Sequence, residues 1–199
     1  MGRSVRIPKE KLLQTGLRIL IKDGYSSINI TTLSKEAGCS TQPVAWHFGN
    51  MESFRSELAG YALDYVNGKM ALNSGDPLTD FFHIGRVYVD MAFDEPKLVR
   101  FLQLDEAGTR SSAGLGFIFE DKKNAELAGR LAEKFGIDIR DAGRFMQSAV
   151  IYTQGLVTLI SSGAVKCGRD EAHKLLADFG RTFLMGLGVP EDRLKIVFD

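Results

Sequence analysis

The side chains best suited to chemistry crowd together between Gly38 and Phe48: Thr41, Gln42, Pro43, Ala45, Trp46 and His47. The Gln42 amide places a donor beside an acceptor, which suits a bidentate contact to an adenine edge, and Pro43 offers an apolar surface to a thymine methyl group. Trp46 and His47 bring ring N–H donors for phosphate oxygens, and protonation near neutral pH would strengthen the histidine contact. Thr31 and Thr32 add hydroxyl and backbone N–H groups at a helix N-terminus, where an anion is favoured. Arg55, one turn beyond Met51, supplies a positive charge. No nucleophile elbow, Gly-rich phosphate loop, H-E-x-x-H or nucleophile-base pair at usable spacing occurs. The chemistry on offer is recognition of a duplex rather than turnover.

These side chains need helices to position them. Leu13, Leu17, Leu20 and Ile21 recur at helical spacing after Pro8, which predicts a helix over 8–23 ended by Gly24. Gly16 inside it costs about 1 kcal/mol relative to alanine and permits close packing against a neighbouring helix. Thr31 or Thr32 is expected to cap a second helix whose inner face holds Leu33 and Ala37. Gly38 then takes the left-handed conformation, and Ser40 or Thr41 caps a third helix over 41–48. Val44 and Phe48, four apart, turn inward, leaving the polar and aromatic residues outside. A short helix, a glycine turn and a second helix of this kind read as a helix-turn-helix.

The remainder reads as helices alone. A long amphipathic pattern over 51–72 joins the first module to the rest, and Gly75-Asp76-Pro77 and Asp94-Glu95-Pro96 bound helices over 77–93 and 95–106. Residues 107–119, rich in glycine and serine, read as a lid over a pocket or an ordinary connection. Helices follow over 120–135, 138–162 and 170–187, the last closed by Gly188-Val189-Pro190. Tyr88, Met91, Phe101, Phe117, Phe145 and Tyr152 belong to an aromatic-rich set that divides between core and the lining of an effector pocket. Leu156, Ile160, Leu176, Phe179 and Phe183 on the last two helices are expected at a dimer interface, as part of a four-helix contact. The expected architecture is all-α with about nine helices, divided into a DNA-binding domain over 1–50 and a larger helical domain over 51–199 that ends in the dimerisation helices.

Composition narrows the classes. The 199 residues carry 25 basic and 25 acidic side chains, but residues 1–55 hold eight Lys/Arg against four acids, a basic end suited to phosphates. No signal peptide or apolar run of membrane-spanning length is visible, so a cytoplasmic protein is expected. Cys39 and Cys167 form neither a disulfide framework nor a zinc module. Cys39 is expected as a small buried thiol. His83 and His173 sit on separate helices, and no metal or cofactor is expected.

Residues 8–58 resemble the N-terminal domain of the TetR family of bacterial transcriptional regulators. The resemblance is carried by Gly24-Tyr25, Ile30-Thr31, Ala37-Gly38, Gln42-Pro43 and Trp46-His47-Phe48. The Gln-Pro and Trp-His pairs are particularly similar to the tetracycline repressor subgroup. Beyond residue 60 the similarity lies only in the number and order of helices. The resemblance implies a homodimer joined through the last two long helices, a small-molecule effector in the C-terminal domain, and double-stranded operator DNA as partner. The family commonly has tyrosine where this chain has Ala45 and lysine where it has Met51, both phosphate ligands. Their replacement implies modest, steeply salt-dependent DNA affinity.

The leading reading is therefore a ligand-responsive regulator, a repressor released from a palindromic operator by its effector, and not an enzyme. Two others compete. One is a helical sensor or interaction protein with weakened DNA binding, and the other is a helical enzyme using Cys39 or Cys167 with a histidine.

Overall fold

The computed structural model describes residues 7–71, 74–105 and 122–194. Among these lie nine α-helices and no strand: α1 Lys9–Asp23, α2 Ile30–Ala37, α3 Gln42–Phe48, α4 Met51–Met70, α5 Pro77–Asp94, α6 Pro96–Arg100, α7 Lys122–Phe135, α8 Ile139–Ser161 and α9 Arg169–Gly186. The all-α architecture is as expected, with most helix ends within two residues of the sequence reading. The helix expected over 95–106 is instead the short α6 continued by a wider π-type turn over Phe101–Asp105. The segment 107–119, with Phe117, lies outside the described residues.

The chain forms two compact units. The first comprises α1 to α4 with α6 and the turn after it, and the second comprises α5, α7, α8 and α9. The boundary expected at residue 50 falls inside the first unit, between α3 and α4.

In the first unit the apolar stripe of α1 meets α4 because Gly16 lacks a side chain. A Cβ built there would lie 2.7 Å from Phe54 Cζ and 3.2 Å from a Leu58 methyl. Leu12, Leu20, Ile28, Leu33, Phe54, Leu58 and Phe101 are all buried in this unit. Gly24 ends α1 at φ 90°, its N–H donating to the Ile19 and Leu20 carbonyls. The chain then turns through Tyr25–Ser27, and the Tyr25 ring packs on Phe101 at 5.3 Å. Lys97 of α6 donates to the Lys22 carbonyl at 2.6 Å. Glu95, just before α6, accepts from Tyr65 Oη at 2.7 Å and Lys69 Nζ at 2.6 Å on α4.

In the second unit α5 lies against α8 and α9. Gly85 leaves room for Leu176, whose methyl lies 3.0 Å from where a Cβ would sit. The start of α5 is fixed by acids: Asp76 Oδ1 accepts the Thr79 N–H at 2.8 Å, and Asp80 Oδ1 accepts both the N–H and hydroxyl of Ser74. Lys134 of α7 pairs with Asp76, and Arg130 lies 3.7 Å from Asp80. At the other end of α5, Arg169 donates to Asp90 at 2.8 Å and to Asp94 at 2.5 Å. His173 Nε2 lies 3.0 Å from Asp90 without the alignment of a hydrogen bond. No helix among the described residues is long and apolar enough to cross a membrane.

Candidate nucleic-acid interface

Helix α2 starts two to three residues earlier than the threonines suggested. Asn29, in extended conformation, is the cap residue, and its Oδ1 accepts the Thr32 N–H at 2.9 Å. Thr31 and Thr32 are helical residues inside the first turn, so the expected threonine cap is corrected to Asn29. Asparagine is among the strongest N-cap residues because its short side chain reaches the free N–H groups of the first turn. The available signal was Asn29 itself, a preferred cap residue directly before the apolar Ile30. Thr31 is exposed, and Thr32, half-buried, has its N–H engaged.

Gly38 closes α2 in the left-handed conformation at φ 69°, with its own N–H and that of Cys39 returning to the Lys35 and Ser34 carbonyls. A glycine carries no Cβ penalty there. Thr41 holds the cap position of α3, but its backbone is already helical and its side chain makes no capping bond. Its hydroxyl is exposed, next to Gln42. Pro43 occupies the first turn, where a missing N–H leaves nothing unsatisfied.

Two residues anchor α3. Val44 and Phe48 are buried, and the Phe48 ring meets Phe54 edge-on at 4.9 Å. Burying that pair turns Gln42, Ala45 and Trp46 outward on one face, at spacings of three and four. Trp46 keeps 59% of its surface exposed, an unusual state for the chain's single tryptophan. Its ring packs on His47, with centroids 4.6 Å apart.

His47 and Arg55 have other duties. His47 Nε2 lies 2.8 Å from the Ile7 carbonyl oxygen, which can only accept, so this nitrogen carries the proton and donates inward. Arg55 donates from Nη2 to the Ile28 carbonyl at 2.9 Å, its guanidinium lies 5.5 Å from the Tyr25 ring, and its Nε is buried. It ties α4 to the connection between α1 and α2. Asn50, which the sequence reading passed over, caps α4 by accepting the Ser53 N–H at 2.8 Å. Of the candidate DNA-contacting residues, the fold thus brings Thr31, Thr41, Gln42, Ala45 and Trp46 to the surface. Pro43 is half-buried beside them.

The other candidate sets divide. Met91 and Phe145 are buried in the core of the second unit, whereas Tyr88 and Tyr152 are half-buried. Tyr152 stacks on Phe179 at 4.5 Å, and burial together with the Asp178 charge pushes its phenol up. Phe101 belongs to the first unit, where it lies against Tyr25. On the last two helices, Leu156 and Leu176 are buried within the unit, which corrects their assignment to a surface between copies. The outward apolar residues there are Ile151, Leu159, Leu175 and Met185, with Ile160, Phe179 and Phe183 half-exposed beside them. Among the described residues no three His, Cys, Asp or Glu side chains converge on a metal-sized site. Cys39 is half-buried rather than enclosed. Burial and the neighbouring Glu171 carboxylate push the Cys167 thiol up, away from the reactive thiolate.

Comparison with known proteins finds likeness in shape alone. No protein-family profile matches the chain, and no curated protein matches it either. Among solved structures, the chain is similar to a TetR-like transcriptional regulator from Rhodococcus sp. RHA1, with a TM-score of 0.61 at 12% identity over 94% of this chain and 99% of that one. It is also similar to a TetR variant from Acinetobacter baumannii AYE in complex with minocycline, with a TM-score of 0.51 at 18% identity over 94% of both chains. The fold is that of TetR-like regulators along nearly the whole chain.

Proposed function

We propose that this protein is a dimeric, ligand-responsive regulator of transcription that binds operator DNA through α2 and α3. The observation that carries the reading is the outward face of α3. Gln42, Ala45 and Trp46 are held in solvent by a buried Val44–Phe48 anchor, on the second helix of a helix-turn-helix. In the major groove Gln42 would pair with adenine while Pro43 and Ala45 lie against thymine methyl groups. Helix α3 carries no Arg or Lys, the usual readers of guanine, so its half-site is expected to be rich in A·T pairs. Thr31, Thr32 and Thr41 would hold phosphates, with Trp46 along the backbone. His47 and Arg55 act behind the interface by fixing α3 and α4.

A second copy of the chain would pack on the outward apolar face of α8 and α9, setting two α3 helices about 34 Å apart on successive major grooves. The small-molecule effector belongs to the second unit, where Tyr88 and Tyr152 keep partly open aromatic surface. An effector that prefers the wrong spacing releases DNA by an amount set by its differential affinity, which makes the protein a repressor without enzymatic activity, acting in the cytoplasm. Selection of bound sequences from a random duplex library by the purified full chain at low salt tests this. A palindromic A·T-rich site is expected, and failure to enrich any sequence would sink the reading.

A further inference from the structure

The sequence places four net positive charges in residues 1–55, but α2, α3 and the start of α4, which build the candidate interface, hold few of the basic side chains. Among the described residues of α2, α3 and the first two turns of α4, the basic side chains are Lys35, His47 and Arg55. His47 donates to the Ile7 carbonyl, and Arg55 donates to the Ile28 carbonyl with its guanidinium near the Tyr25 ring. Lys9, which lies 5.2 Å from the Phe48 ring, is paired with Glu57 at 2.6 Å. That leaves Lys35, exposed on the same side of α2 as Thr31 and followed by the exposed Glu36. Met51 opens α4 with no charge, and Glu52 beside it is exposed. What this surface offers is hydroxyls, an amide, an indole and apolar patches.

We propose that α2, α3 and the start of α4 hold their duplex through neutral groups, with no more than one ion pair to phosphate per subunit. This rests on the regulator reading and gives these three elements only a shallow share of the steep salt dependence expected from the sequence. Each neutralised phosphate contributes about 0.9 to the slope of log K against log salt. Two subunits with one Lys35 contact each give a slope of about −1.8, so binding weakens only about twelvefold between 50 and 200 mM salt. Specificity then depends on fit to base edges, because a charge-poor surface binds unrelated DNA weakly.

The test is fluorescence anisotropy with the selected duplex across that salt range. It uses the full chain and an Arg3→Gln/Arg6→Gln/Lys11→Gln variant, which removes exposed Lys11 and two arginines outside the described residues. In the variant a slope shallower than about −3.6 upholds the proposal. A slope at or beyond that value, equivalent to about 150-fold weakening, overturns it. So does loss of all binding in the variant while the wild type still binds. Adding Met51→Lys to the variant is expected to steepen the slope by about 1.8, and an unchanged slope overturns the placement of the α4 start at the phosphates. If the wild type binds no duplex at low salt, the regulator reading itself fails before any slope is measured.

Discussion

Gly16 shows how one residue decides a helix pairing. Helix propensity alone says that alanine there should stabilise α1 by about 1 kcal/mol. The added methyl, however, would sit 2.7 Å from the fully buried Phe54 ring and 3.2 Å from Leu58. Neither neighbour has room to retreat, and overpacking a filled core costs about 1–3 kcal/mol. The contact outweighs the propensity, so Gly16→Ala is expected to lower the midpoint of chemical denaturation. A raised midpoint would mean that α1 and α4 are packed more loosely than described. The sequence flagged this glycine because it sits inside an apolar helical stripe. It did not foretell the duties of His47 and Arg55, whose partners, the Ile7 and Ile28 carbonyls, are backbone groups far away in sequence. A backbone acceptor leaves no trace in residue type.

At the scale of elements, the helices were legible because apolar spacing reports burial directly, while their ends depend on single side-chain reaches. Thr31 and Thr32 looked like caps because threonine is a good cap residue. Asn29 takes the place because Ile30 already belongs to the helix and the asparagine oxygen reaches the Thr32 N–H. Asn29→Ala should therefore cost about 1 kcal/mol of stability, and Thr31→Ala far less. Comparing their thermal melts checks which residue caps.

The start of α5 carries a pH prediction. Burial alone would raise Asp76 and Asp80. The Lys134 ammonium and the Thr79 N–H outweigh it at Asp76, as do the Ser74 donors and Arg130 at Asp80, so both carboxyls lie below the usual range. A depressed folded-state value means that their stabilisation is fully present above the ordinary aspartate range near pH 4 and is lost as pH falls through the lower folded values. The second unit should loosen in that acid window. Asp80→Asn should flatten the loss, seen as a shallower dependence of melting temperature on pH below about 4.

At the scale of the whole molecule, the hardest feature to read was which apolar stripe of α8 and α9 faces the protein's own core. Both helices carry apolar residues on more than one side, and periodicity finds a stripe without saying what covers it. Leu156 and Leu176 were expected between copies but lie inside. Ile151 and Leu159, at 50% and 45% exposure, with Leu175 on α9, are left on the outside. Large apolar side chains left outside are what water penalises, and in the proposed dimer a second copy would cover them by two-fold symmetry. The two classes of position must then respond differently to charge. Ile151→Glu with Leu175→Glu should leave a folded, helical monomer in sedimentation equilibrium, because neither residue fills the core. Leu156→Glu should unfold the second unit, since it buries a carboxylate without a partner. If the double variant sediments as the wild type does, α8 and α9 are not the interface, and the spacing of the two α3 helices must be set elsewhere.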